Sequence, residues 1–237
     1  MTALRAAKRE LRKVIKDALS AVSEDKISGQ TATAIKLVFS LPEYQSAKRI
    51  SIYLSMPTGE ISTGALVHDA LEKSKKVFIP HTYKLSNPQP GQPSSVMDMI
   101  EIRSIEDYEA LKLDKWGIPT LDEDAIDGRV NSFGGKGKSL GKAELPRTKG
   151  GLDLIVMPGM VFDLNFGRLG HGKGFYDFFL DRYQQYSNHA GSKMPFLVGL
   201  TLIEQLLPAN ESVPMDTTDW RLDALITGDG HILRSNK

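Results

Sequence analysis

The segment GRLGHGKGFYD, residues 167–177, holds the densest set of groups that could do chemistry in this chain. Gly167, Gly170, Gly172 and Gly174 let backbone N–H groups converge without side-chain obstruction, and Arg168, His171 and Lys173 can oppose phosphate charge beside them. Leu169, Phe175 and Tyr176 complete the run, and Asp177 closes it with a hard carboxylate suited to Mg²⁺. This is the composition of a polyphosphate loop; the alternative is a surface turn whose cations only confer solubility. It is neither common nucleotide fingerprint. The Gly-Lys-Ser at 137–139 has Ser132 where a Walker A loop needs glycine, and the glycines of 167–174 do not follow GxGxxG spacing.

Other candidates are scattered. Lys8 and Arg12 share one face of a helical pattern and can meet phosphates or solvent. Glu60, just past the first expected strand, can accept from a ligand amine or serve as an ordinary capping acid. Trp116, in WGIP, can stack on a flat ligand or pin its own loop to the core. Asp219 is a second candidate ion ligand, with Asp216 and Asp223 as rivals or helpers, and capping is the plain alternative for all of these acids.

Composition narrows the field. With no cysteine there are no disulfides, thiolate nucleophiles or Cys-rich zinc sites, and a formal charge of +1 over 237 residues carries no global signature of a nucleic-acid binder. No apolar run approaches a membrane span. Arg5, Lys8, Arg9, Arg12, Lys13 and Lys16 give the N-terminus some likeness to a mitochondrial targeting segment, which Glu10 and Asp17 weaken. A cytoplasmic location is expected, with the mitochondrial matrix as the alternative.

The elements that must position these groups alternate. Helical periodicity covers 3–20, about 28–39, about 62–73 and the stretch through Phe179, Leu180 and Tyr183, with a short helix near 104–112. Strands are expected at 49–54, 75–80, 97–103, 151–158, 195–201 and 221–228. The pattern predicts one α/β domain over 1–237, three layers deep, with a largely parallel central sheet flanked by helices and ligands at the C-terminal strand ends. Flexible loops are expected at 84–95 and 122–150, the second as an active-site lid or mobile insertion.

Taken in order, KRELR, YLSM with the following Glu-Ile, WGIP, LDLIVMPGMVFD, GRLGHGKGFYD and VPMDTTDWRLDALIT resemble the 5-formyltetrahydrofolate cyclo-ligase family over nearly the whole chain. The resemblance implies ATP-dependent closure of 5-formyltetrahydrofolate, with or without a polyglutamate tail, to 5,10-methenyltetrahydrofolate with release of ADP and phosphate. It also implies a monomer and no nucleic-acid partner. By the same resemblance Lys8, Arg12 and residues 168–176 bind ATP, Leu54, Met56, Glu60, Trp116 and residues 171–175 meet the folate, and Asp177 and Asp219 hold Mg²⁺. Arg168, His171, Lys173 and Glu60 are then the groups closest to the chemistry. Phe175 stands where many relatives have tyrosine, so no phenolic hydrogen bond is assigned there; His171 stands where relatives carry arginine or histidine. The alternatives are a relative that performs another condensation and an RNA-interacting relative using the basic 129–149 segment.

Overall fold

The computed structural model describes residues 3–140 and 150–236. The chain opens with α1 (Ala3–Ser20), α2 (Glu24–Ser40) and α3 (Pro42–Ser46). Then come β1 (Arg49–Ile52), α4 (Gly64–Glu72), β2 (Lys76–Lys84), β3 (Ser95–Ile102), α5 (Ile105–Glu109) and a small hairpin of β4 (Lys112–Leu113) and β5 (Pro119–Thr120). The second half adds β6 (Leu154–Met157), a hairpin of β7 (Val161–Phe162) and β8 (Arg168–Leu169), α6 (Phe175–Ala190), β9 (Phe196–Thr201), β10 (Ala224–Thr227) and β11 (Ile232–Arg234).

Strands that are apolar on both faces need cover on both faces, and this dictates the layers. The main sheet runs β11-β10-β9-β6-β1-β2-β3; its five inner strands are parallel, and β3 and β11 close the edges antiparallel. Ile50, Ile52, Leu154 and Val156 point to one face and pack with Ala34, Ile35 and Val38 of α2 and Leu66, Val67 and Ala70 of α4. Phe78, Ile155 and Met157 point to the other, against Phe179, Leu180, Tyr183 and Tyr186 of α6. A third, smaller cluster joins Ile15 of α1 to Met160, Val161, Leu169, Leu207 and Val213. No helix among the described residues is long and apolar enough to cross a membrane.

The expected strands and helices are present with shifted ends. β2 extends to Lys84 because its ladder with β3 runs on through Lys84↔Ser95, leaving 85–94 as a hairpin connection. The described part of 122–150, expected as a lid or mobile insertion, packs along the sheet. Leu121 and Ile126 join the first face, Phe133 the second, and Glu101 N–H to Val130 O (2.9 Å) and Ser132 N–H to Met99 O (2.9 Å) cover the open edge of β3. Residues 141–149 lie outside the described residues.

A buried polar cluster pins the end of this wrap. Asp98 accepts from Tyr83 Oη (2.7 Å), Ser139 N (2.6 Å), Ser139 Oγ (2.8 Å) and Arg182 Nη2 (3.0 Å). Removing the one cation would strand a carboxylate in the interior, so Arg182→Met should cost about 3–5 kcal/mol. Urea denaturation checks this, and a loss within the range of ordinary surface substitutions would count against it.

Candidate active site

The site lies where the chain leaves the C-terminal ends of neighbouring strands in opposite directions. From β1 it crosses the first face through α4 to β2; from the adjacent β6 it crosses the other face through α6 to β9. Such a divergence opens a crevice beyond the strand ends, and open α/β sheets bind ligands there.

The loop after β6 is built around a buried acid. Asp163 Oδ1 accepts from Asn165 N and Gly167 N, both at 2.8 Å, and Oδ2 accepts from Val213 N at 2.7 Å. These bonds close the β7–β8 turn, where a Cβ on Gly167 would come within 2.6 Å of Asp163 Oδ2, so glycine is required. The hairpin then delivers Arg168, only 5% exposed, with Nη2 at 3.1 Å from both oxygens of Asp177. The Arg168 guanidinium also lies over the Tyr176 ring, 5.5 Å from its centroid.

α1 is laid across this loop by its apolar stripe, Leu11, Ile15 and Leu19. Docking brings Lys8 Nζ to 2.5 Å from Asp219 Oδ2 and 3.6 Å from Asp216 Oδ2, and Arg12 Nε to 2.7 Å from Gly170 O. Both cations therefore face the site, not open solvent. His171, Gly172, Lys173 and Gly174 stay exposed on its rim, and α6 begins directly after, presenting the positive end of its dipole. Partial desolvation, then the charges of Arg12 and Arg168, hold the His171 pKa below its ordinary value.

Across the crevice, the 54–60 loop folds back on itself because Glu60 Oε1 accepts from Met56 N at 2.6 Å. Glu60 is 7% exposed, and burial outweighs that hydrogen bond, raising its pKa to about 7. Its charge is felt by Tyr53 and Tyr176, whose hydroxyls are also pushed upward, first by burial. The Tyr176 hydroxyl and Arg168 Nε are buried without a partner among the described residues, polar atoms that a ligand with hydrogen-bonding groups would suit. Trp116 stands at the tip of the β4–β5 hairpin, 62% exposed, and the next residue, Gly117, backs onto Pro57 of the Glu60 loop.

Residues 4–228 match the model of the 5-formyltetrahydrofolate cyclo-ligase family. The chain belongs to this family. It is 34% identical over 221 residues to the Schizosaccharomyces pombe protein named "Probable 5-formyltetrahydrofolate cyclo-ligase", covering 93% of this chain and 94% of the other. It is 32% identical over 223 residues to the Mus musculus 5-formyltetrahydrofolate cyclo-ligase, covering 94% of each. The NMR structure of Aquifex aeolicus 5,10-methenyltetrahydrofolate synthetase superposes with a TM-score of 0.64 at 26% identity, over 97% of this chain and 93% of that one.

The matched span of this cyclo-ligase chain contains every candidate from Lys8 to Asp219. Leu54 and Leu169 are buried in apolar clusters. Phe175 and Tyr176 are half-buried against the second-face core. Asp223 does not assist an ion: its Oδ2 accepts from Leu197 N (2.9 Å) near the start of β9, far down the strands from the crevice. Asp216 does remain beside Lys8 and Asp219. Asp163, Tyr53 and Trp220 went unassigned by sequence reasoning; the Phe-Asp pair at 162–163 was visible, but nothing in it told a turn-building acid from a ligand.

Asp177 and Asp219 meet through Trp220, whose backbone N–H donates to Asp177 Oδ1 at 3.1 Å. Among the described residues no cluster of three or more His, Asp or Glu side chains could hold an ion by itself. Two carboxylates fit Mg²⁺ that arrives with phosphate oxygens and keeps water ligands.

The raised Glu60 pKa sets a pH dependence. The folded carboxyl keeps its proton to about pH 7 and the unfolded one loses it near 4.5, so this contribution to stability is full below the lower value and is lost as pH rises through the upper. Glu60→Gln has no proton to lose. Between about pH 5 and about pH 8 the parent should lose up to ~3 kcal/mol that the variant retains. Urea denaturation at both ends checks this, and parallel pH profiles would reject a buried, proton-holding Glu60.

Proposed function

We propose that this chain catalyses the ATP-dependent cyclisation of 5-formyltetrahydrofolate to 5,10-methenyltetrahydrofolate, releasing ADP and phosphate. The observation that carries the reading is the convergence, at one crevice, of a cationic glycine loop under a docked basic helix with a buried carboxyl opposite. Lys8, Arg12, Arg168, Lys173 and the backbone of 168–176 are the ATP side. Glu60, Met56, the backbone of Leu54, Trp116 and the 171–175 rim are the folate side.

The reaction needs an activated oxygen. The formyl oxygen attacks the γ-phosphorus, the bond to ADP breaks, and an iminium phosphate results. Folate N10 then attacks the former formyl carbon, N10 gives up its proton, and the C–O bond to phosphate breaks to leave the methenyl bridge. The cations stabilise charge as it moves from the β–γ bridge to ADP and onto the formyl-derived oxygen. Glu60, near neutrality in its pKa, holds N10 in place and is suited to take its proton. Asp177 and Asp219 would hold Mg²⁺, which neutralises phosphate charge when bound. No enzyme nucleophile is required, in keeping with a chain that has no cysteine.

An RNA-binding reading fits less well. Arg129 is paired with Asp107 (2.5 Å) and Lys138 with Glu123, so these described cations of 129–149 already have acidic partners. Purified protein with 5-formyltetrahydrofolate and Mg-ATP should form methenyl product and ADP together; ADP formed without folate, or neither product, would overturn the cyclisation.

Two variants divide binding from chemistry. Arg12→Gln should weaken ATP binding about tenfold or more, because a charge-assisted bond contributes roughly 1.5–3 kcal/mol. Lys173→Gln should lower the single-turnover rate at saturating Mg-ATP and folate, since charge at the transferred phosphoryl changes through the transition state. An unchanged rate would leave Lys173 as a uniform anchor.

A further inference from the structure

One residue joins the two segments that carry Asp177 and Asp219. Trp220 gives its backbone N–H to Asp177 Oδ1 at 3.1 Å and its indole Nε1–H to Asp181 Oδ1 at 2.8 Å. Asp177 and Asp181 are one turn apart on the same side of α6, about 6 Å along its axis. The turn preceding Trp220 is braced internally, with Asp216 N–H donating to Asp219 Oδ2 at 2.8 Å and Thr218 N–H to Asp216 Oδ1 at 2.9 Å. A braced turn moves as a unit, so what fixes Trp220 against α6 also fixes Asp219 against Asp177. The backbone bond alone is a single pivot. The indole bond, one helical turn further on, makes it two points and removes the rotation.

We propose that Trp220 and Asp181 are positioning residues: their hydrogen bond holds Asp219 at the separation from Asp177 at which both reach one divalent cation carried by nucleotide phosphates. This rests on the reading of Asp177 and Asp219 as ion ligands. Asp181 itself is set back from the crevice and acts through Trp220. Trp220 is half-buried against the second-face core, where its N–H needs a partner and phenylalanine would offer none.

The experiment measures binding of a non-hydrolysable ATP analogue by calorimetry, across a Mg²⁺ titration and in EDTA, for the parent, Asp181→Ala, Asp181→Asn, Trp220→Phe, Asp177→Asn and Asp219→Asn. Outer hydrogen-bond partners of metal ligands typically contribute tenfold or more to metal affinity, so Asp181→Ala and Trp220→Phe should raise the half-saturating Mg²⁺ about tenfold. Their affinity in EDTA and the melting temperature of the free protein should stay at the parent's values. Asp181→Asn keeps the accepting oxygen and should restore the parent's Mg²⁺ dependence. Equal weakening with and without Mg²⁺ would mark a general structural role and overturn the proposal. Parent-like Mg²⁺ dependence in Asp181→Ala and Trp220→Phe, alongside a raised requirement in Asp177→Asn, would overturn the positioning role and leave the ion ligands standing. No change in either Asp177→Asn or Asp219→Asn would overturn the ion reading and the proposal with it.

Discussion

β1 and β6 lie side by side, yet the chain leaves them over opposite faces of the sheet, and every group at the crevice stands on one of the two loops that this divergence separates or is docked onto them. The divergence follows from burial: with α4 on one face and α6 on the other, each apolar face of the strands is covered. It leaves main chain unpaired just beyond the strand ends, where two short loops must satisfy themselves. They do so with carboxylates. Glu60 closes the first loop onto Met56 N, and Asp163 closes the second onto three backbone N–H groups. Glu60 has one hydrogen bond against near-complete burial, and its pKa rises to about 7.

The same accounting explains the pairing of cations with acids at the crevice. Arg168 with Asp177, and Lys8 with Asp219, are pairs that are largely out of water. Holding either partner alone there would carry a large desolvation penalty, whereas pairs that exchange partners keep each charge compensated. Under the proposed reaction the cations would turn to the phosphates and Asp177 and Asp219 would hold Mg²⁺, so charge would be redistributed among groups already desolvated.

What could be read from sequence was what depends on local pattern. Apolar runs such as RISI and LIVM, the helical stripe of α1 and the glycine-cation run at 167–177 each carry their meaning within a dozen residues. What could not be read depends on partners distant along the chain. Asp98 and Arg182 are 84 residues apart and became a pair only through folding. The 122–150 stretch looked like a lid or a mobile insertion because it is long, polar and glycine-rich, and the buried groups of its described part, among them Ile126, Arg129, Asn131, Ser132, Phe133 and Ser139, follow no period; they are spaced by the route around the edge of β3. β7, β8 and β11 are two or three residues long, too short for any periodicity to declare itself. Glu60 was legible as a candidate, its burial was not, and the burial is what gives it a pKa near neutrality.

One of the two-residue strands ties the site together. β8 is only Arg168 and Leu169, and successive side chains on a strand point to opposite sides. Leu169 goes into the apolar cluster under α1, and Arg168 turns the other way, toward Asp177 and Tyr176. The register is held by Met160 N–H to Leu169 O at 2.8 Å and by the Asp163 turn, so the docking of α1 and the aim of Arg168 are set by one hairpin. A slip of one residue would put the guanidinium into the apolar cluster and leave Lys8 and Arg12 without the surface that presents them. The position of the basic helix and the charge at the centre of the crevice are therefore one structural decision, and Asp163, which need not touch any ligand, makes it.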